Sequence, residues 1–138
     1  MSVEIRYSRI TLNGTCLEPE LADGEQVDGL VDFEFEDIQI GDFVLYIYGS
    51  AEKRIKKVLA LAGESFDLNE KEIVINNKRQ GLTELSIRRL SGYYNKVPKD
   101  CVLTVSCERK CDHARIVHSD SITRLVKRPR SGFIINSS

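Results

Sequence analysis

Short runs with alternating apolar and polar positions recur along this chain and predict strands. Residues 3–7 (VEIRY) alternate ahead of an Asn13-Gly14 turn pair, and residues 42–48 (DFVLYIY) form a β-branched and aromatic run opened by Gly41-Asp42. Residues 72–76 (EIVIN) alternate, and the following NNKRQG reads as a turn. CVLTVS (101–106) follows a Pro98-Lys99-Asp100 turn, and SITRLVK (121–127) alternates again. The stretch KRIKKVLALAG (53–63) fits a helix or a strand ending at Gly63; its β-branched entry and short length favour a strand. Residues 83–95 (TELSIRRLSGYYN) carry no decisive pattern, and Tyr93-Tyr94 reads either as groove lining or as ordinary packing.

Many short strands separated by turns predict a mainly β domain with its sheet folded over on itself. Residues 1–132 read as a single domain and residues 133–138 as a frayed tail. A chain of 138 residues suits one domain, and 41% apolar with 30% charged residues is an ordinary globular composition.

Twenty basic residues against twenty-one acidic ones leave a net charge of -1, which argues against a nucleic-acid partner. The late basic cluster RLVKRPR (124–130) reads as a solvated tail. No window reaches the roughly 18 apolar residues of a membrane span, and the N-terminus lacks the apolar core of a signal peptide. As written, the chain reads as cytoplasmic; as a piece of a membrane-anchored protein, it reads as extracytoplasmic, with membrane association left open.

Cys16, Cys101, Cys107 and Cys111 form an even set without a secretory context, which favours free thiols over a disulfide framework. CERKCDH brings Cys107, Cys111, His113 and, further on, His118 into a zinc-like set. The C-x3-C spacing is not that of a common zinc knuckle, and one loop would supply every ligand. Incidental thiols are the preferred reading, with no metal and no cofactor.

The chemistry worth pursuing is Cys16 with Lys56. Cys16 sits in NGTCLEPEL between a turn pair and a Glu-Pro step, a rigid bend for a side chain. A thiol becomes a nucleophile when a neighbour lowers its pKa or accepts its proton, and lysine does either. In RIKKVLALA, apolar neighbours Ile55, Val58, Leu59 and Leu61 can bury the Lys56 stem. On a strand, Lys56 and Lys57 point to opposite faces, so only one need stand in solvent.

The order of motifs around these residues resembles the type I signal peptidases and the related LexA-type self-cleaving repressors. Gly14, Cys16, Leu17, Pro19 and Leu21 fall on that superfamily's Gly-x-Ser-Met-x-Pro-x-Leu box; Asp23-Gly24 follows, and Gly41-Asp42 opens the apolar strand. Lys56-Lys57-Val58 lies on the family's Lys-Arg-Val, Gly63-Glu64 on its Gly-Asp, and Ile73 to Lys78 on a strand ending in an Asn-Gly-Lys turn. Val97-Pro98 and Arg109 fit its Val-Pro and Gly-Asp-Asn-Arg stretch. The resemblance runs in order over about residues 10–127.

It implies a signal-peptidase/LexA-like β fold and a dyad with the nucleophile at Cys16 and the base at Lys56. A backbone N–H at the nucleophile would belong to the oxyanion hole. Substrates would be extended peptides or precursor proteins that bind by adding a strand to an exposed edge.

The departures have chemical meaning. Cysteine stands where the family has serine, and a thiol near pKa ~8.5 is more acidic than a lysine near ~10.4, so a resting thiolate–ammonium pair is the expected form. Ser106-Cys107-Glu108 replaces the family's Gly-Asp-Asn. The expected function is therefore a signal-peptidase-like endopeptidase that cleaves a leader through a Cys16/Lys56 dyad. The alternatives are a degenerate member that binds an extended peptide without cutting it, or an engineered Ser-to-Cys signal peptidase domain.

Overall fold

The structure, a computed structural model, describes residues 7–11, 24–48, 52–105 and 113–127; at 48 and 52–54 only the backbone is described. The fold is mainly β, as the alternation implies. A seven-stranded antiparallel sheet is built from β1 (Tyr7–Thr11), β2 (Gln26–Leu30), β3 (Phe43–Tyr48), β4 (Glu52–Ala60), β8 (Cys101–Val105), β9 (Ala114–His118) and β10 (Ile122–Val126). Their spatial order is β1-β2-β10-β3-β4-β8-β9. A second sheet of three strands holds β5 (Asp67–Leu68), β6 (Glu72–Ile75) and β7 (Lys78–Gly81), and is followed by the helix α1 (Glu84–Ser91).

The two faces of the large sheet are covered differently. Val44, Tyr46, Val58, Val102, Val117 and Leu125 face one way, over Ile38 and the half-buried Phe33 and Phe35. Ala60, Leu103 and Val105 face the other way, against Phe66, Ile73, Ile75, Leu90 and Val97 from the small sheet, the helix and the loops. Every residue of β8 is buried, because this strand contributes alternate side chains to both cores.

Several sequence expectations are corrected. KRIKKVLALAG is strand β4 over most of its length, but NNKRQG is more than a turn. Only Asn76 and Asn77 make the turn, with φ of 50° and 66°, and Lys78–Gly81 returns as β7 with Ile75 opposite Lys78. A two-residue loop with both residues left-handed suits the twist of the flanking strands, and asparagine tolerates that conformation. The first strand runs over residues 7–11; residues 3–6 of the expected VEIRY strand lie outside the described residues, as does the expected tail at 133–138.

Residues 83–95 hold a helix that no apolar stripe announced. Thr83 caps it, its Oγ1 accepting the Ser86 N–H at 3.2 Å, and Arg88 pairs with Glu84 one turn back at 2.8 Å. Ser86, fully buried, accepts the Ala114 N–H at 2.9 Å and so fastens the helix to the start of β9.

Candidate functional site

Cys16 lies outside the described residues; Lys56 does not. Lys56 sits in the middle of β4 directly opposite Val44 on β3. Directly opposed residues of an antiparallel pair share a face, so the Lys56 side chain stands on the side of Val44 and Val58, both fully buried. Lys57, opposite Phe43 and Val105, takes the other face. Both lysines are half-buried and engaged with neighbours, so neither stands simply in solvent, where the alternation left room for one to do so.

The backbone around Lys56 is fixed from both sides. β3 runs alongside from Phe43 to Tyr48, and β8 pairs from Lys57 onwards with a register shift between Val58 and Ala60. Gly41-Asp42 adds a clamp: the Gly41 N–H donates to the Val58 carbonyl at 2.9 Å, and the Val58 N–H donates to the Asp42 carbonyl at 2.7 Å. Gly41 has φ of 94°, a left-handed conformation that glycine takes without Cβ strain.

The Asp42 carboxylate, 3% exposed, accepts the Gln39 N–H at 2.9 Å and the Lys127 ammonium at 2.7 Å. Lys127 also donates to the Asp37 carbonyl at 2.9 Å, which ties the end of β10 to the start of β3. Lys127 was expected in a solvated basic tail. Instead it satisfies a buried acid, and Arg124 from the same cluster donates through Nε to Ser8 Oγ at 2.7 Å. Nothing in the sequence marked Asp42 as the buried acid that this cation would satisfy.

Gly63-Glu64 repeats the Gly41-Asp42 arrangement. The Glu64 side chain accepts the Leu61 N–H at 2.5 Å, three residues back, as Asp42 does for Gln39. Gly63, at φ of 85°, donates its N–H to the Val97 carbonyl at 2.8 Å, and the Val97 N–H returns to the Glu64 carbonyl at 2.9 Å. Three motif segments far apart in sequence, at 41–42, 63–64 and 97–98, thus brace the two ends of the strand segment that follows Lys56.

Comparison with models of known protein families and with curated proteins finds no match. The chemistry of this chain therefore rests on its own residues.

The zinc-like set is dispersed as far as the structure describes it. His113 precedes β9 and His118 ends it, about 16 Å apart at ~3.3 Å per residue, too far for both imidazoles to hold one ion. His118 Nδ1 accepts the Asp120 N–H at 3.1 Å. Cys107 and Cys111 lie outside the described residues, and among the described residues no three acids, histidines or cysteines form a metal-holding group. Cys101, 8% exposed, has its thiol pKa pushed up by burial and, secondarily, by the charge of Asp100, which makes it the inert kind of cysteine. No helix among the described residues is long and apolar enough to cross a membrane.

Proposed function

We propose that this protein is a signal-peptidase-like endopeptidase in which Cys16 attacks and Lys56 manages the proton. The observation that carries the reading is the setting of Lys56, half-buried on a strand braced on both sides and facing Val44 and Val58. Partial burial makes an amine less stable as a cation unless an anion compensates, and a thiolate is such an anion.

The chemistry follows from the two acidities. The Cys16 thiol passes its proton to the Lys56 amine, and the thiolate sulfur bonds to the carbonyl carbon of an extended peptide. The carbonyl oxygen gains the electron pair and is held by backbone N–H donors, the one at Cys16 among them. The intermediate collapses with the C–N bond breaking, and the Lys56 ammonium gives its proton to the departing amine. Water, deprotonated by the neutral Lys56, then hydrolyses the thioester and releases the carboxylate. The substrate class is a leader or signal segment of a precursor, presented as an extended strand.

A second reading has a specific observation in its favour. Ser106-Cys107-Glu108 replaces the Gly-Asp-Asn of the resembling family, so a groove that binds an extended peptide without cutting it is the competitor. Incubation with a library of leader-bearing peptides, read by mass spectrometry, separates the two. The peptidase yields paired fragments that vanish in Cys16→Ala and in Lys56→Met; the binder retains peptides and yields none.

A further inference from the structure

Outside the neighbourhood of Lys56, the loop after α1 has unusual chemistry. Tyr94 is 91% exposed and Tyr93 38%, and Tyr94 has φ of 54°. A bulky aromatic residue held left-handed is strained backbone, and exposing its ring to water adds to the cost. Asn95 follows at φ of 62°, a conformation asparagine tolerates, so the strain of the turn falls on Tyr94.

The strained turn is pinned. Phe66 donates its N–H to the Asn95 carbonyl at 2.9 Å, and Val97 and Gly63 are paired as above. Beside it lies an open cleft of about 640 Å³. Its lining includes Val97, Pro98, Tyr93 and Tyr94, and its cations are Lys96 and Lys99, with no acidic residue in the lining. Neither ammonium has a hydrogen-bond or ion-pair partner among the described residues, and neither tyrosine hydroxyl does.

We propose that this cleft binds a short acidic peptide segment with an aromatic residue at its centre. The ring packs between the tyrosines and Pro98, and flanking carboxylates take the Lys96 and Lys99 ammonium groups. Tyrosine offers large contact area with little rotamer entropy to lose, and a turn already pinned in place adds little ordering cost on binding. Two cations beside an apolar wall suit a pair of carboxylates; a nucleic-acid strand would call for a longer basic track, which a net charge of -1 does not favour. The inference goes beyond the peptidase reading and does not depend on Cys16.

The test is fluorescence anisotropy with a labelled peptide, Gly-Ser-Glu-Asp-Phe-Glu-Asp-Gly-Ser, titrated with the full chain and with Cys16→Ala. Saturable binding is expected in both, weakened about tenfold by Tyr94→Ser and by Lys96→Gln with Lys99→Gln. Raising the salt from about 50 to about 500 mM weakens it, and the analogue with lysine in place of each acid does not bind. The double lysine variant changes only exposed charges, so it tests the site even where Tyr94→Ser perturbs the turn. Absence of saturable binding overturns the proposal, as does binding indifferent to these variants. Variant-sensitive binding of a single-stranded oligonucleotide or an anionic vesicle in preference to the peptide overturns it too. Equal binding of this peptide by native chain and Cys16→Ala, together with no fragments from the leader-peptide library, leaves this site standing while the peptidase reading fails.

Discussion

The buried Asp42 carboxylate and the Lys127 ammonium meet at 2.7 Å across eighty-five residues of sequence. The same Asp42 holds the Gln39 N–H with its side chain and the Val58 N–H with its carbonyl, two residues past Lys56. One residue thus links the end of β10, the entry to β3 and the strand that carries the candidate base.

Breaking this pair is expected to cost stability unequally. Lys127 is partly in solvent, so in Lys127→Met water replaces the cation and the loss is about 1–2 kcal/mol. Asp42→Ala also abandons the Gln39 N–H and leaves a void, costing about 3 kcal/mol. Urea unfolding of both singles and the double checks this: the double should fall short of the sum by about 1 kcal/mol. Strict additivity would show that the two groups do not act together.

Ser86 makes a second long-range tie that is testable alone. Its Oγ receives the Ala114 N–H and the Thr83 hydroxyl, at 2.9 and 3.0 Å, inside a fully buried site. Ser86→Ala should cost about 1–3 kcal/mol by stranding the Ala114 N–H. Amide hydrogen exchange at Ala114 should accelerate in step; an unchanged rate would mean that the helix is held to β9 by packing alone.

The strands β3, β4, β6, β8 and β10 were legible in the sequence, because half-buried sheet residues alternate and β-branched residues crowd the central strands, whereas β2, β5 and β7 were not. β9 was hidden in the suspected metal loop: its ARIVH carries only short apolar alternation beside a run of charges. The helix at 84–91 escaped because its apolar residues are few, and its docking depends on Ser86, a polar residue. Lys56 was legible as a candidate with an apolar setting for its stem, but its face was not: that comes from register, which places it opposite Val44. Lys127 was misread because a lysine near a basic tail gives no sign of the acid it will meet.

Gly63 and Gly81 should respond differently to alanine. Neither position has an atom within 4 Å of an added Cβ, yet Gly63 has φ of 85° and Gly81 no such constraint. Gly63→Ala should destabilise by about 1 kcal/mol, while Gly81→Ala should be neutral or mildly stabilising. Thermal melts of the two variants compare them directly; equal effects would show that backbone conformation is not what sets the cost at Gly63.

Cys101 should make stability fall at alkaline pH. Burial raises its thiol pKa above the ordinary 9.0, so the folded state keeps the proton longer than the unfolded chain does. That contribution is complete below the unfolded value and is lost as pH rises through the folded one. Denaturant titrations from neutral to strongly alkaline pH should show a smaller decline for Cys101→Val than for the native chain. An identical decline would place the alkaline sensitivity elsewhere.

The central claim is that Lys56 activates Cys16. Alkylation at Cys16 as a function of pH, read by peptide mass spectrometry in the native chain and in Lys56→Met, tests it most directly. The account predicts a rate already high near about pH 6 that collapses in Lys56→Met, with Cys101 slow in both. A Cys16 that reacts slowly, or reacts as fast without Lys56, would contradict it and favour a groove that binds peptide without cutting it.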